Sequence, residues 1–234
     1  MIGRRAVLSY LAFAAPILAA EPARAGFTDL LDPGQWWMAL RFAWAGIPAK
    51  TFRIPGQSMA PTLEPGDTFA VDLRAAATRP RRGDIVVFRL PRDRKVLFVK
   101  RVVGLPTDRV QLRGSRLSIN RRSVDRREAE PYAGPSRRRD TLHHFIESLP
   151  VDDGALPAEY GILEQTAAAP FDDTLEYVVP ADHCFVLGDN RDYSLDSRAD
   201  VGYVPIENIL GRVIYRLRPN PAWLVPPETV PGLG

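Results

Sequence analysis

Short apolar runs separated by glycine, proline and aspartate dominate the chain from residue 51 onward. Each run has the length of a β-strand, and no long segment shows the 3.6-residue period of an amphipathic helix. We therefore predict a mainly β fold. The predicted strands cover residues 68–73, 84–90, 96–103, 109–112, 175–179, 184–187 and 209–217.

The strand pattern weakens in the middle of the chain, where arginines cluster among glycines and prolines. We interpret residues 113–171 as an insertion, or cap, of irregular α/β structure in which residues 116–123 can form a hairpin. The β core then consists of residues 51–112 and 172–218. The proline-rich residues 219–234 are predicted to form an irregular tail.

Residues 1–25 have the features of a targeting segment, because two arginines precede the uncharged stretch 6–20 and Ala23-Arg24-Ala25 resembles a cleavage site. The stretch is about 15 residues, short of the ~20 that span hydrocarbon, so a cleaved leader and a retained anchor both remain open. The arginines favour a cytoplasmic amino end and export of the rest of the chain.

Residues 26–50 contain a second apolar segment, which is rich in tryptophan but interrupted by Arg41. A charge at mid-bilayer costs roughly 2.5–3.5 kcal/mol on insertion scales, so we predict that this helical segment lies in the membrane interface. The alternative is a helix packed on the folded domain through Trp36, Trp37 and Trp44.

Composition narrows the function classes only slightly. The 234 residues carry a formal net charge of +3 and can bury a core. Arginines interleaved with acids, as in residues 125–128, favour a solvated surface over a nucleic-acid-binding face. Cys184 is the only cysteine, so an internal disulfide is excluded, and its apolar neighbours favour a buried thiol.

Lys100 is one of only three lysines, and it lies inside an apolar run. Strand alternation places it on one face with Val96, Phe98 and Val102. A lysine must lose about 3 pKa units from its ~10.4 reference to act as a base near neutrality, and desolvation can supply that shift. The alternative is a lysine whose amine reaches water along an apolar surface.

Two other segments carry candidate chemistry. Ser58 follows a glycine-containing turn that can expose its hydroxyl, although an exposed turn serine without a role is the default interpretation of this motif taken alone. Residues 188–198 are dense in charged and hydroxyl groups and follow an apolar strand, which suggests a hydrogen-bonded loop at the rim of a site. Its aspartates lack the glycine and glutamate register of a calcium loop. We interpret His143, His144 and His183 as surface or structural residues.

Four motifs, in this order, resemble those of the type I signal peptidases, serine–lysine proteases of family S26. They are SMAPTL at 58–63, RGDIVVF at 82–88, KRVVGLP at 100–106 and GDNRD at 188–192, and the resemblance extends from residue 52 to about 217. It implies a β-barrel or sandwich catalytic core with a variable insertion, a membrane tether and neither cofactor nor metal.

The resemblance also implies roles for individual residues. Ser58 would be the nucleophile and Lys100 the general base, and the backbone N–H of Ser58 would serve the oxyanion hole. Many family members have serine at the position of Gly56, and often Gly and Asn at those of Thr107 and Tyr193. The remaining implied roles are orientation of the lysine by Ser194, bracing of the loop by Asp196 and Arg198 with support from Asp189, and apolar substrate pockets lined by Phe52, Ile54, Pro55 and Val99.

Such pockets would favour cleavage after Ala-x-Ala sites in exported preproteins, at the extracytoplasmic face of a bacterial plasma membrane. The expected partners are signal peptides and lipid, without nucleic acid, and the expected state is a monomer. Three alternatives remain: a peptidase dedicated to one pilin or conjugation substrate, a self-cleaving repressor-type protease, and a non-catalytic basic module that binds lipid or nucleic acid.

Overall fold

The computed structural model describes residues 33–74, 79–135, 142–151, 157–165 and 169–233. The predicted targeting segment at 1–25 therefore lies outside the described residues. One helix and fifteen strands are described, interspersed with short 3₁₀ turns. They are α1 (Pro33–Trp44), β1 (Ala49–Arg53), β2 (Thr68–Asp72), β3 (Ile85–Leu90), β4 (Asp93–Gly104), β5 (Arg109–Arg113), β6 (Arg116–Ile119), β7 (Arg122–Ser123), β8 (Asp125–Glu128), β9 (Leu142–Leu149), β10 (Ala158–Gln165), β11 (Tyr177–Val178), β12 (His183–Leu187), β13 (Val204–Pro205), β14 (Ile209–Arg218) and β15 (Ala222–Trp223).

The strands form three sheets, and every pairing between named strands is antiparallel. The large sheet has the order β1-β2-β14-β3-β4-β12-β13, with β15 paired to β14. A second sheet has the order β11-β5-β6-β7, and a third has the order β10-β9-β8. The mainly β prediction is confirmed, but the sheets of the described residues do not close into a barrel.

All seven predicted strands are present within a few residues of their predicted bounds. The expectation of irregular α/β structure in 113–171 was wrong, because the described part of this segment forms strands β6 to β10 and contains no helix. Charged side chains occupy buried positions on these strands, among them Arg126, Glu147 and Glu164. Paired charges in the interior hide the alternation of apolar and polar residues by which strands are recognised.

Helix α1 packs one face on the large sheet and leaves the other exposed. Met38 and Phe42 are buried in a cluster with residues of β2 and β14 and with Val230 of the tail. The tail also contains strand β15, so it contributes to the core rather than lying loose on the surface. Within the described residues, no helix is long and apolar enough to span a bilayer.

Two edges of the large sheet lie beside the turn that carries Ser58. Strand β1 pairs only with β2, so its outer edge is unpaired among the described strands. On β4, residues 93–100 pair with β3 alone, because β12 covers only 101–104. Unpaired strand edges are surfaces to which an extended peptide can add.

Candidate active site

Ser58 and Lys100 are in direct contact. Ser58 follows β1 in a turn, and Lys100 lies near the middle of β4, 42 residues later. Lys100 Nζ and Ser58 Oγ form a hydrogen bond of 2.5 Å. The two side chains are buried, with 3% of Lys100 and 8% of Ser58 exposed. The structure thus joins a hydroxyl and an amine at the distance that proton transfer requires.

The environment of Lys100 favours the neutral amine. Burial lowers its pKa from 10.5 to about 8, while the nearby carboxylates of Asp196 and Asp189 raise it and Arg198 lowers it. The Phe98 ring lies 5.7 Å from Nζ, as strand alternation predicted. At a pKa of about 8, roughly a tenth of the amine is unprotonated at pH 7 and can accept a proton, far more than for an ordinary lysine.

Residues 188–198, hereafter the catalytic loop, are held against both motifs. The N–H of Asn190 donates to the Ser58 carbonyl at 3.1 Å. Asp189 accepts two hydrogen bonds from Arg101, at 2.8 and 2.7 Å, and one from Thr62 at 2.5 Å. Asp189 therefore fixes the loop to the strand of Lys100 and to the turn of Ser58 at once.

Asp196 and Arg198 form a buried pair that folds the loop onto itself. Arg198 Nε and Nη2 each donate to Asp196 at 2.9 Å, and Gly188 N–H donates to the same carboxylate at 3.0 Å. Burial raises the pKa of Asp196, but Arg198 and these hydrogen bonds outweigh it, so its pKa lies below the ordinary value. Asp196 thus remains an anion near Lys100. The bracing role that the family resemblance implies for this pair stays a prediction.

Ser194 lies within the loop and packs against Gly188. Its hydroxyl is buried and makes no hydrogen bond of ideal geometry among the described residues, but it lies close enough to Asp196 to help lower the pKa of that carboxylate. A Cβ at position 188 would overlap the Ser194 hydroxyl and come within 2.5 Å of the Ser58 carbonyl, so only glycine fits there. Orientation of Lys100 by Ser194 stays a prediction.

The turn of Ser58 contains a backbone N–H that could serve the predicted oxyanion hole. The Ser58 N–H has no hydrogen-bond acceptor among the described residues, so it is available to a ligand. Gly56 offers no side-chain donor, and its neighbour Gln57 lies in the same turn. Backbone donors of this turn can meet a developing negative charge only if the acyl group of a substrate occupies the space beside Ser58.

The predicted substrate-binding residues are only partly brought together. Phe52, Ile54 and Val99 pack in one cluster, at 1%, 2% and 2% exposure, whereas Pro55 is exposed and lies outside it. Three of the four side chains therefore form a wall of apolar packing next to the Ser58 turn. Each of the three therefore has almost no surface left for a ligand to contact.

The carboxylates of the catalytic loop are engaged by the protein itself. Asp189 binds Arg101, Asp192 accepts the N–H of Gln165, and Asp196 binds Arg198. The described residues contain no group of three or more histidine, cysteine or acidic side chains with the geometry of a metal site.

Sequence reasoning missed a set of residues that contact the loop from the third sheet. Glu147 on β9 and Tyr160 on β10 both bind Arg191, which is itself buried. A glutamate within an irregular-looking segment gave no signal, since its partner lies 44 residues away. The only available clue was Arg191, an arginine four residues after the buried strand β12.

Comparison with known proteins points to one family. The family model described as "Signal peptidase, peptidase S26" matches residues 36–217. A signal peptidase I of Rickettsia typhi is 39% identical over 145 residues, which cover 59% of this chain and 52% of that protein. The corresponding protein of Rickettsia prowazekii is 39% identical over 144 residues, with the same coverage. The matched region thus spans about half the length of these curated relatives.

Among solved structures, a signal peptidase I from Enterococcus faecalis V583 is 27% identical, with a TM-score of 0.33. The alignment covers 57% of this chain and 96% of that one.

Proposed function

Because the chain belongs to the S26 family of signal peptidases, we propose that it is a serine endopeptidase that removes signal peptides from exported preproteins. The observation that carries this proposal is the 2.5 Å contact between Lys100 Nζ and Ser58 Oγ in a buried site. A lysine paired with a serine in this way has no structural purpose that outweighs the cost of burying an amine.

The reaction begins with neutral Lys100 accepting the proton of Ser58 while Oγ attacks the scissile carbonyl. Asp196 and Asp189 favour the ammonium that forms, since both raise the affinity of the amine for a proton. The Ser58 N–H donates to the developing oxyanion. Lys100 then gives its proton to the departing amine, and in the second half it activates water, which hydrolyses the acyl-enzyme.

Substrate selection follows from the two unpaired strand edges. An extended leader segment can add to the outer edges of β1 and β4, which places its backbone beside Ser58 and its alternate side chains over Phe52, Ile54 and Val99. Because these three side chains are themselves only 1–2% exposed, the wall offers little contact surface to a bulky side chain. Cleavage after Ala-x-Ala sites is the specificity that this wall supports.

The test is cleavage of a synthetic leader peptide with an Ala-x-Ala site by the full chain. Ser58→Ala and Lys100→Ala should each lower kcat/KM by more than about a thousandfold. Arg122→Ala is the control, because Arg122 is an exposed basic residue on β7, away from the dyad and from both strand edges, and should retain parental activity. Parental turnover by Lys100→Ala would refute the proposal.

We also propose that α1 lies in the membrane interface on the extracytoplasmic side, next to its signal-peptide substrates. Trp37, Leu40 and Trp44 share one face of the helix and are 67%, 61% and 88% exposed. Large exposed apolar side chains with indole rings are typical of helices that lie at the headgroup level. The charge of Arg41 does not oppose this placement, because its guanidinium stacks on the ring of Trp223 in the tail, with Cζ 5.5 Å from the ring centroid.

A further inference from the structure

A buried ion pair joins the third sheet to the catalytic loop. Arg191 donates to the two carboxylate oxygens of Glu147, at 2.5 and 3.2 Å, and Tyr160 donates its hydroxyl to the same carboxylate at 2.6 Å. Glu147 is 1% exposed and Arg191 is 2% exposed. Burying two charges is costly, so stability alone does not explain a pair this deep.

Arg191 also forms hydrogen bonds with other residues of the catalytic loop. Its Nε donates to the Gly188 carbonyl at 3.2 Å, and its own carbonyl accepts a hydrogen bond from Arg198 at 2.6 Å. Arg198 in turn binds Asp196, which accepts the Gly188 N–H. Both polar groups of Gly188 are therefore held, and Gly188 is the residue that packs against the Ser58 carbonyl.

Strand β10 reinforces the same contact from the side of Ser58. Leu163 N–H donates to the Asp189 carbonyl at 2.9 Å, and Gln165 N–H donates to Asp192 at 2.5 Å. Gly161 lies so close to Pro61 that a Cβ there would come within 2.8 Å of the proline ring. The third sheet thus contacts the catalytic loop and the turn that carries the nucleophile.

We propose that Glu147 is a positioning residue for catalysis, which fixes the catalytic loop against Ser58 and Lys100 by holding Arg191. The catalytic part of this inference rests on the proposed peptidase function. Without the carboxylate of Glu147, Arg191 retains the Tyr160 hydroxyl and the more distant charge of Glu164, and it loosens its hold on the Gly188 carbonyl. The loop then admits water to the amine of Lys100, which faces Asp196, Asp189 and Arg198.

The decisive variant is Glu147→Gln, which keeps the size of the side chain and removes its charge. Glu159→Gln is the matched control, because Glu159 lies on the neighbouring strand β10 and is exposed, and its contacts with Arg127 at 3.3 Å and with the Ser148 hydroxyl at 3.2 Å are also exposed. Per folded molecule, Glu147→Gln should lower kcat on the leader peptide by about 10- to 100-fold with KM unchanged, the range found when a supporting contact behind a reactive group is removed. Glu159→Gln should match the parent.

A second readout does not depend on activity. With only three lysines in the chain, ¹³C-lysine NMR resolves the titration of Lys100 directly. In Glu147→Gln the pKa of Lys100 should rise from about 8 towards its ordinary value, because water relieves the desolvation that lowers it. In Glu159→Gln it should not move.

An unchanged pKa of Lys100 in folded Glu147→Gln overturns the proposal, whatever the change in kcat, since the variant would then be only less stable. If Glu147→Gln does not fold, Tyr160→Phe takes its place under the same criteria, because it removes one hydrogen bond from the carboxylate and keeps the ring on Arg101 at 4.1 Å. If the parent cleaves no leader peptide, the peptidase proposal fails, while the NMR comparison still decides whether Glu147 positions the loop.

Discussion

Lys100 concentrates the chemistry of this molecule in a single ionisable group. Its amine must be uncharged to accept the proton of Ser58, and burial on β4 supplies the necessary shift in pKa. The dyad could be predicted from sequence, because a lysine inside an apolar strand and a serine after a glycine turn are each visible locally. The contact between them was implied only by the order of four motifs.

The rate of peptide cleavage should follow the titration of Lys100. As the pH falls below about 8, the ammonium form grows and kcat/KM should fall, approaching a tenfold loss per pH unit. Above that pH the rate should reach a plateau. A pH–rate profile of the full chain on a leader peptide measures this, and a limb with a midpoint near the ordinary lysine value would contradict it.

Thr107 occupies a position at which the family resemblance implies glycine, and its backbone has a conformation that favours glycine. Its φ is +74°, a left-handed conformation that a β-branched residue adopts at a cost of roughly 1–2 kcal/mol. Its side chain is exposed, so little packing opposes replacement. Thr107→Gly should raise the free energy of unfolding by about 0.5–1 kcal/mol, less than the strain because glycine also gains entropy in the unfolded chain. Urea denaturation measures this, and a destabilised variant would contradict it.

At the scale of elements, α1 shows that two interpretations of one segment can hold together. Its sequence allowed an interfacial helix or a helix packed on the domain, and the structure shows packing through Met38 and Phe42 with an exposed face of Trp37, Leu40 and Trp44. Strands β6 to β10 were harder to predict. The buried charges on these strands pair with residues in other parts of the chain. The sequence of one strand therefore does not show that its charged side chains can be buried.

The exposed face of α1 should bind lipid. Replacing both Trp37 and Trp44 by Gln should weaken sedimentation with anionic vesicles at least tenfold, because indole rings lose their place at the interface. Cleavage of a soluble peptide should be unaffected, since neither side chain approaches the dyad. The same double change at the buried pair Met38 and Phe42 would unfold the cluster and is not an equivalent test. Unaltered vesicle binding by the Trp37 and Trp44 variant would contradict an interfacial role.

At the scale of the whole molecule, the active site forms where three separate parts of the chain meet: the turn after β1, the middle of β4 and the catalytic loop. The large sheet aligns the first two, and the third sheet supports the loop through Glu147 and β10. The sequence motifs predicted that the turn, β4 and the catalytic loop meet, but not that the third sheet supports the loop. That support depends on how the sheets pack against one another, and no local sequence pattern shows this packing.

Catalysis and stability should oppose one another at Lys100. Its pKa is lower in the folded chain, about 8 against 10.5, so the folded state binds fewer protons than the unfolded state between these values and its stability rises with pH across that window. The cost of burying the amine is fully present below about pH 8. At pH 7, Lys100→Met should therefore be more stable than the parent by up to about 3 kcal/mol while inactive.

Chemical denaturation of parent and Lys100→Met at pH 7 and again near pH 10.5 measures this effect. The difference between the two proteins should shrink at the higher pH, because the unfolded parent then also loses its proton. A difference that does not depend on pH would show that the gain comes from packing alone.

The docking of the tail on α1 affects how the chain can acquire its fold during synthesis. Met38 and Phe42 share a buried cluster with Val230, and Arg41 reaches the carbonyl of Leu233 across a separation of 192 residues. Until those late residues leave the ribosome and arrive at the helix, its inner apolar side stays uncovered. A newly made chain therefore exposes the inner apolar side of α1 during translation, and a nearby lipid surface or a chaperone can cover it.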